Sequence, residues 1–114
     1  MMKNDIVLVP FSFDDFSLFK VRPAICLTNT FGKFDHIIIA FISSNTKKLD
    51  NDIDILVKRN DHLAEGSGLK LDSVIKINRI VTIPKRIIAR KLGIANPELS
   101  HVIKMKLKLL FELE

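Results

Sequence analysis

Residues Ile37 to Thr46 form ten consecutive positions without a charge, and Ile37, Ile38, Ile39, Phe41 and Ile42 among them are large and apolar. Unbroken apolarity over this length predicts a strand, 34–44, covered on both faces. It is too short for a bilayer, which takes about 20 residues. A strand hidden on both sides must be enclosed by the rest of the chain. That rest is small: 114 residues make one domain, 1–114, with no room for a second. The chain is 47% hydrophobic, enough for a core and too much for extended disorder.

The neighbouring segments read as further strands. Asp5 to Phe11 is a β-branched run ended by Pro10 and Phe11. A second strand spans 22–29, with Pro23 expected at its start because proline lacks an N–H. Asp52, Ile53, Asp54 and Ile55 alternate, which predicts a half-exposed strand up to Lys58. Residues 72–80 alternate as well, and 88–94 can form a last short strand. Asn96-Pro97-Glu98 starts a helix: a capping side chain, a proline at the first position and an acid in the first turn. Leu99, Val102, Ile103, Leu107, Leu110 and Leu113 then recur at helical spacing, as for a helix docked on the sheet. The expected architecture is mainly β, a small barrel or strongly bent sheet with one C-terminal helix.

Charge is unevenly spread. Residues 1–69 hold eight basic and nine acidic residues, whereas 70–91 hold seven basic residues against Asp72 alone. Such a segment is either a solvated basic face or a surface for phosphate backbones. Residues 12–21 carry turn formers together with Phe13, Phe16 and Phe19, which either pack at the loop base or offer an apolar patch to a partner or a base. Cys26, the single cysteine, precludes an internal disulfide and reads as a small core residue. No histidine pair has metal-ligand spacing, and Asp50, Asp52 and Asp54 lack the rest of a calcium loop. The Gly66-Ser67-Gly68 turn matches neither a dinucleotide loop nor a Walker loop. Arg22 opens one apolar strand, and Ser43-Ser44-Asn45 closes another. Paired antiparallel, these strands bring Arg22 and Ser43 to one end of the sheet. A guanidinium beside a hydroxyl can hold phosphate, but spacing alone favours ordinary strand-end solvation.

Taken in order, Asp5-Ile6-Val7-Leu8-Val9, Lys20-Val21-Arg22-Pro23-Ala24, Ile42-Ser43-Ser44-Asn45, Gly68-Leu69, Asp72-Ser73-Val74-Ile75-Lys76 and Thr82-Ile83 resemble the MazF/PemK family of toxin endoribonucleases over about residues 4–113. The pattern differs at Asn4, where Gly is usual, and at Ser43, where Thr is commoner. It also differs at Asn78, where some members have an acid, and at Val81, where Arg often precedes Thr-Ile.

The resemblance implies an SH3-like barrel of five to seven strands with a C-terminal α-helix. It implies a homodimeric cytoplasmic toxin that cuts single-stranded RNA, usually mRNA, with no metal or other cofactor. The products would carry 2′,3′-cyclic phosphate and 5′-OH ends. Arg22 and Ser43 fall on the family's catalytic positions. The expected nucleic-acid contacts are Lys20, Ser44, Asn45, Lys76, Asn78, Arg79, Thr82, Lys85 and Arg86, with Phe13, Phe16 and Phe19 for base stacking. The implied partner is a cognate antitoxin whose acidic disordered tail covers the same groove and which binds DNA together with the toxin. Two alternatives share the fold: a gyrase poison of the CcdB type, which uses a C-terminal tail whereas here the chain stops at Glu114 in a core-packed helix, and a non-catalytic homologue that only binds RNA or antitoxin.

Overall fold

The computed structural model describes residues 1–11 and 20–114. Six strands form one curled antiparallel sheet, a half-barrel: β1 (Asp5–Phe11), β2 (Lys20–Cys26), β3 (His36–Ser43), β4 (Ile55–Val57), β5 (Ser73–Pro84) and β6 (Arg90–Ile94). They lie in the order β4-β5-β3-β2-β1-β6, and the helix α1 (Pro97–Leu110) follows. The mainly β expectation with a single C-terminal helix therefore holds.

The curl has a local cause. Ala40 of β3 faces Ile80 of β5, yet Ile42 faces Ile75. Four residues of β5, Lys76 to Arg79, thus stand against Phe41 alone. Extra residues on one strand bend it and increase its twist, so the long β5 can pair with β3 along its length and with β4 at its start. A smaller irregularity lies between Ile6 and Val7 of β1, opposite β6.

Strict alternation divides the apolar residues between two faces. Ile6, Ile25, Ala40, Ile42, Ile75 and Ile77 form one cluster with Leu99 and Ile103 of α1. Val7, Val9, Ala24, Cys26, Ile37 and Ile39 form the other, closed by Met1, Ile83, Ile87 and Ile88. The run Ile37–Ile42 is consequently covered on both sides, and each fully buried Ile contributes about 1.5–3 kcal/mol. Burial, with Asp5 as a second cause, pushes the Cys26 thiol up to about 11. The cysteine is a core residue.

Several boundaries differ from the sequence expectation. Pro23 is the fourth residue of β2, not its first. It pairs with Leu8 of β1, but β3 joins β2 only from Ala24. On that side Pro23 lies at an edge, where a missing N–H is tolerated. Beyond Cys26 the pairing continues through single bonds: the Leu27 N–H donates to Ile38 O, and Thr28 Oγ1 accepts the Ile38 N–H. The alternating residues at 52–54 are not strand. Asp50 Oδ1 accepts the Asp52 N–H, and Asp54 Oδ2 accepts the Asp50 N–H, which fold the segment into a turn and leave β4 only three residues long. In contrast, α1 starts as expected: Asn96 Oδ1 accepts the Leu99 N–H at 2.9 Å, and its Nδ2 donates to His62 O and Glu65 O. Asn4 has φ +78°, a left-handed conformation that Gly and Asn adopt most readily. No described helix is long and apolar enough to cross a membrane.

Candidate functional site

A cleft of about 460 Å³ opens between β1, β2, β6, the end of β3 and the loop that leads into β5. Its cations come from different elements: Lys20 and Arg22 from β2, Lys70 from the loop, and Arg90 from β6. Ser44 adds a hydroxyl, the buried Ser73 donates its own to Leu71 O, and Leu8, Leu69 and Leu92 supply apolar wall. None of the described lining residues is acidic. Four positive side chains around a partly apolar hollow favour a ligand that combines anionic charge with a flat apolar face.

Local chemistry explains why these residues converge. Gly68 has φ +75°, and a Cβ there would lie 2.2 Å from Leu92 O of β6. Only glycine lets the loop lie this close to the strand. The Ile94 N–H donates to Gly66 O at 2.8 Å. The buried Ser67 hydroxyl donates to Ala64 O and accepts the Leu69 N–H. The loop is thereby pinned from both ends, and Lys70 is delivered to the cleft opposite Lys20 and Arg22. The Asp5 and Lys91 side chains pair at 3.3 Å on the neighbouring stretch of β1 and β6, so Lys91 is engaged there.

The two hydroxyls at the end of β3 have different surroundings. The β2–β3 register pairs Ala24 with Phe41; continued by two residues, it sets Arg22 opposite Ser43. Ser43 is half-buried, and its Oγ accepts the Asn45 N–H at 3.0 Å. Ser44, not Ser43, is among the residues lining the cleft. Alternation accounts for the split: Ser44 follows Ile42 onto the cleft face, and Ser43 follows Phe41 onto the other.

The remaining residues singled out from the sequence are dispersed. Asn45 is exposed, and its side chain accepts the Lys47 N–H. Lys76 pairs with the buried Asp54 at 2.6 Å. Asn78 and Arg79 are exposed in the β5 irregularity, and Thr82 is exposed opposite Ile38. Lys85 and Arg86 belong to the wall of a second cavity beyond the other end of β5. Phe13, Phe16 and Phe19 lie outside the described residues. Lys70 and Arg90 are the cleft cations that sequence reasoning missed. Both belong to the basic stretch 70–91, but nothing in their spacing separates them from its other cations. Among the described residues, no group of three or more His, Cys, Asp or Glu is placed to hold a metal ion.

Residues 2–111 match the family model described as PemK-like, MazF-like toxin of type II toxin–antitoxin system. No curated protein matches the chain. Among solved structures, the fold is similar to a MazE–MazF complex from Deinococcus radiodurans, with a TM-score of 0.73 at 16% identity, covering 100% of this chain and 98% of that one. It is also similar to the Mycobacterium tuberculosis toxin MazF-mt6, with a TM-score of 0.68 at 20% identity over 95% and 98% of the two chains. A mycobacterial endoribonuclease in complex with its cognate antitoxin gives 0.72 at 13% identity, over 100% and 97%.

Proposed function

Because the chain belongs to the PemK-like, MazF-like toxin family of type II toxin–antitoxin systems, we propose that it is the endoribonuclease of such a pair and cuts single-stranded RNA, mRNA in the cytoplasm. The observation that carries this reading is the cleft in which Lys20, Arg22, Lys70 and Arg90 converge beside serine hydroxyls. A phosphodiester backbone fits the charge, and unstacked bases fit the apolar wall.

RNA carries its own nucleophile. The 2′-oxygen attacks the adjacent phosphorus, its proton passes to a base, the bond from phosphorus to the 5′-oxygen breaks, and that oxygen takes up a proton. The ends are a 2′,3′-cyclic phosphate and a 5′-OH. The protein must align the attack and stabilise the charge that grows on the phosphoryl oxygens. Guanidinium groups stay protonated in proteins, so Arg22 serves as a charge-stabilising fork of donors. Ser43 is the hydroxyl that the family pattern assigns to hold the phosphate or position the 2′-OH. To serve, its Oγ must leave the Asn45 amide for the phosphate. Lys20, Lys70 and Arg90 hold the flanking phosphates.

The similarity to toxins solved with their antitoxins supports a cognate antitoxin as partner. An acidic, disordered tail that orders along the same cleft suits its cations. The active species in this reading is a homodimer. Incubation with end-labelled single-stranded RNA, with and without EDTA, tests the function. Expected is cleavage insensitive to EDTA, leaving cyclic phosphate ends. Intact RNA under both conditions would defeat the reading.

A further inference from the structure

The cations at the far end of β5 have surroundings of their own. A cavity of about 350 Å³ lies between the turn holding Phe34 and Asp35 and the one holding Pro84, Lys85 and Arg86. The two turns are tied together, since the Lys85 N–H donates to Asp35 O at 2.8 Å. Phe34 is 71% exposed. Its ring does not fill the core; its neighbours are the His36 ring at 6.2 Å and Lys33 Nζ at 5.9 Å from the centroid. Single exposed apolar residues are common and mean little. Here, however, an exposed ring has a cation over it and borders a cavity whose opposite wall carries two more.

We propose that Phe34, with Lys33, Lys85 and Arg86, forms a second binding site, separate from the cleft, for single-stranded RNA. A base stacks on the Phe34 ring, and the flanking phosphates meet Lys85 and Arg86. Asp35, the one acid among the described lining residues, repels phosphate from its own wall and can accept a base N–H. The ring and cationic walls are thereby given different parts of a nucleotide. The site lies beyond Pro84, and the cleft includes Ser73 at the opposite end of the strand. RNA that reaches both must run along the molecule, so the second site holds substrate and takes no part in chemistry. This rests on the ribonuclease reading above.

The test compares Phe34→Ala with the unaltered protein on two RNAs. One has about 5 nucleotides and fills the cleft only; the other has about 16 and reaches both sites. Expected is a rise in KM of about 5-fold or more on the long RNA, from one lost stack, with kcat unchanged and the short RNA unaffected. Lys85→Ala should lower the salt slope for binding the long RNA by about 0.7. Equal effects of Phe34→Ala on both RNAs, or none on either, overturn the proposal. So does a Phe34→Ala variant that loses affinity only for an acidic peptide, which would assign the patch to a protein partner. If the unaltered protein cleaves neither RNA, the ribonuclease reading fails by itself. Binding of the labelled long RNA then decides the second site: a 5-fold loss in Phe34→Ala supports it, and no loss overturns it.

Discussion

Arg22, Ser43 and Ser44 occupy adjacent strand ends, and their substitutions separate chemistry from folding. Arg22 is only half-buried near the start of β2. Arg22→Ala should abolish RNA cleavage in a variant that still unfolds cooperatively in urea. Arg22→Lys should restore little, because an ammonium cannot reproduce a two-pronged donor. Ser43→Ala should lose about 10²-fold, as for one lost transition-state donor, and Ser43→Thr should stay active. Ser44 makes this comparison decisive, because it lines the cleft. If Ser44→Ala is inactive and Ser43→Ala active, the hydroxyl is Ser44 and the family pattern is displaced by one residue. Gly68 is a separate case. Gly68→Ala forces a Cβ against Leu92 O at a left-handed φ, which should cost about 2 kcal/mol or more in denaturant unfolding.

Among the elements, β5 carries most of the molecule's individuality. Its irregularity projects Lys76 toward the 50–54 turn, where the ammonium meets the buried Asp54 carboxylate. Lys76 retains only 18% of its side-chain exposure there, and Asp54 retains 1%. The resemblance assigns this lysine to RNA, and in the fold its ammonium holds a turn. Lys76→Ala leaves a buried carboxylate unpaired, which should cost about 3 kcal/mol in urea unfolding and change the RNA salt slope little. Asn96 couples two more elements, capping α1 while its amide donates to His62 O and Glu65 O. Asn96→Ala should therefore exceed the usual cap loss of about 1 kcal/mol.

Across the whole molecule, two separate groups of cations border hollows, Lys20, Arg22, Lys70 and Arg90 in the cleft and Lys85 and Arg86 beyond Pro84. A uniform basic face would respond to every charge removal alike; this arrangement should not. Lys70→Ala and Arg90→Ala should each weaken binding of all RNA sequences similarly and reduce the salt slope by about 0.7. Both should also weaken the antitoxin tail if it shares the cleft, as a competition titration would read. Burial of Cys26 adds a pH dependence on the alkaline side. The Cys26 thiol ionises at about 11 when folded, against 9.0 for the free group. The unfolded chain therefore loses its proton first as pH rises. This contribution to stability is present in full below pH 9 and is lost between 9 and about 11. Thermal scans should show Cys26→Ala lacking this component of the alkaline decline.

The sequence by itself determined what depends on neighbours along the chain. Unbroken apolarity at 37–42 required a strand covered on both faces, and alternation placed most of the other strands. Asn96-Pro97 fixed the helix start because capping is satisfied within one turn. The order Arg-Pro, Ser-Ser-Asn, Gly-Leu and Asp-Ser-Val carried the family. Tertiary structure decided what depends on segments distant in sequence. Alternation from Asp52 predicts strand, but hydrogen bonds among the aspartates make 52–54 a turn and leave strand only from Ile55. Seven basic residues in one stretch looked equivalent until the β5 irregularity and the strand order separated them. Lys70 reaches the cleft on a loop held against β6, Lys76 is drawn into an ion pair, and Lys85 and Arg86 are carried to another cavity. The local pattern states that a residue is charged; which opposite charge, hollow or ring it meets is decided by chain closure over tens of residues, where periodicity holds no information.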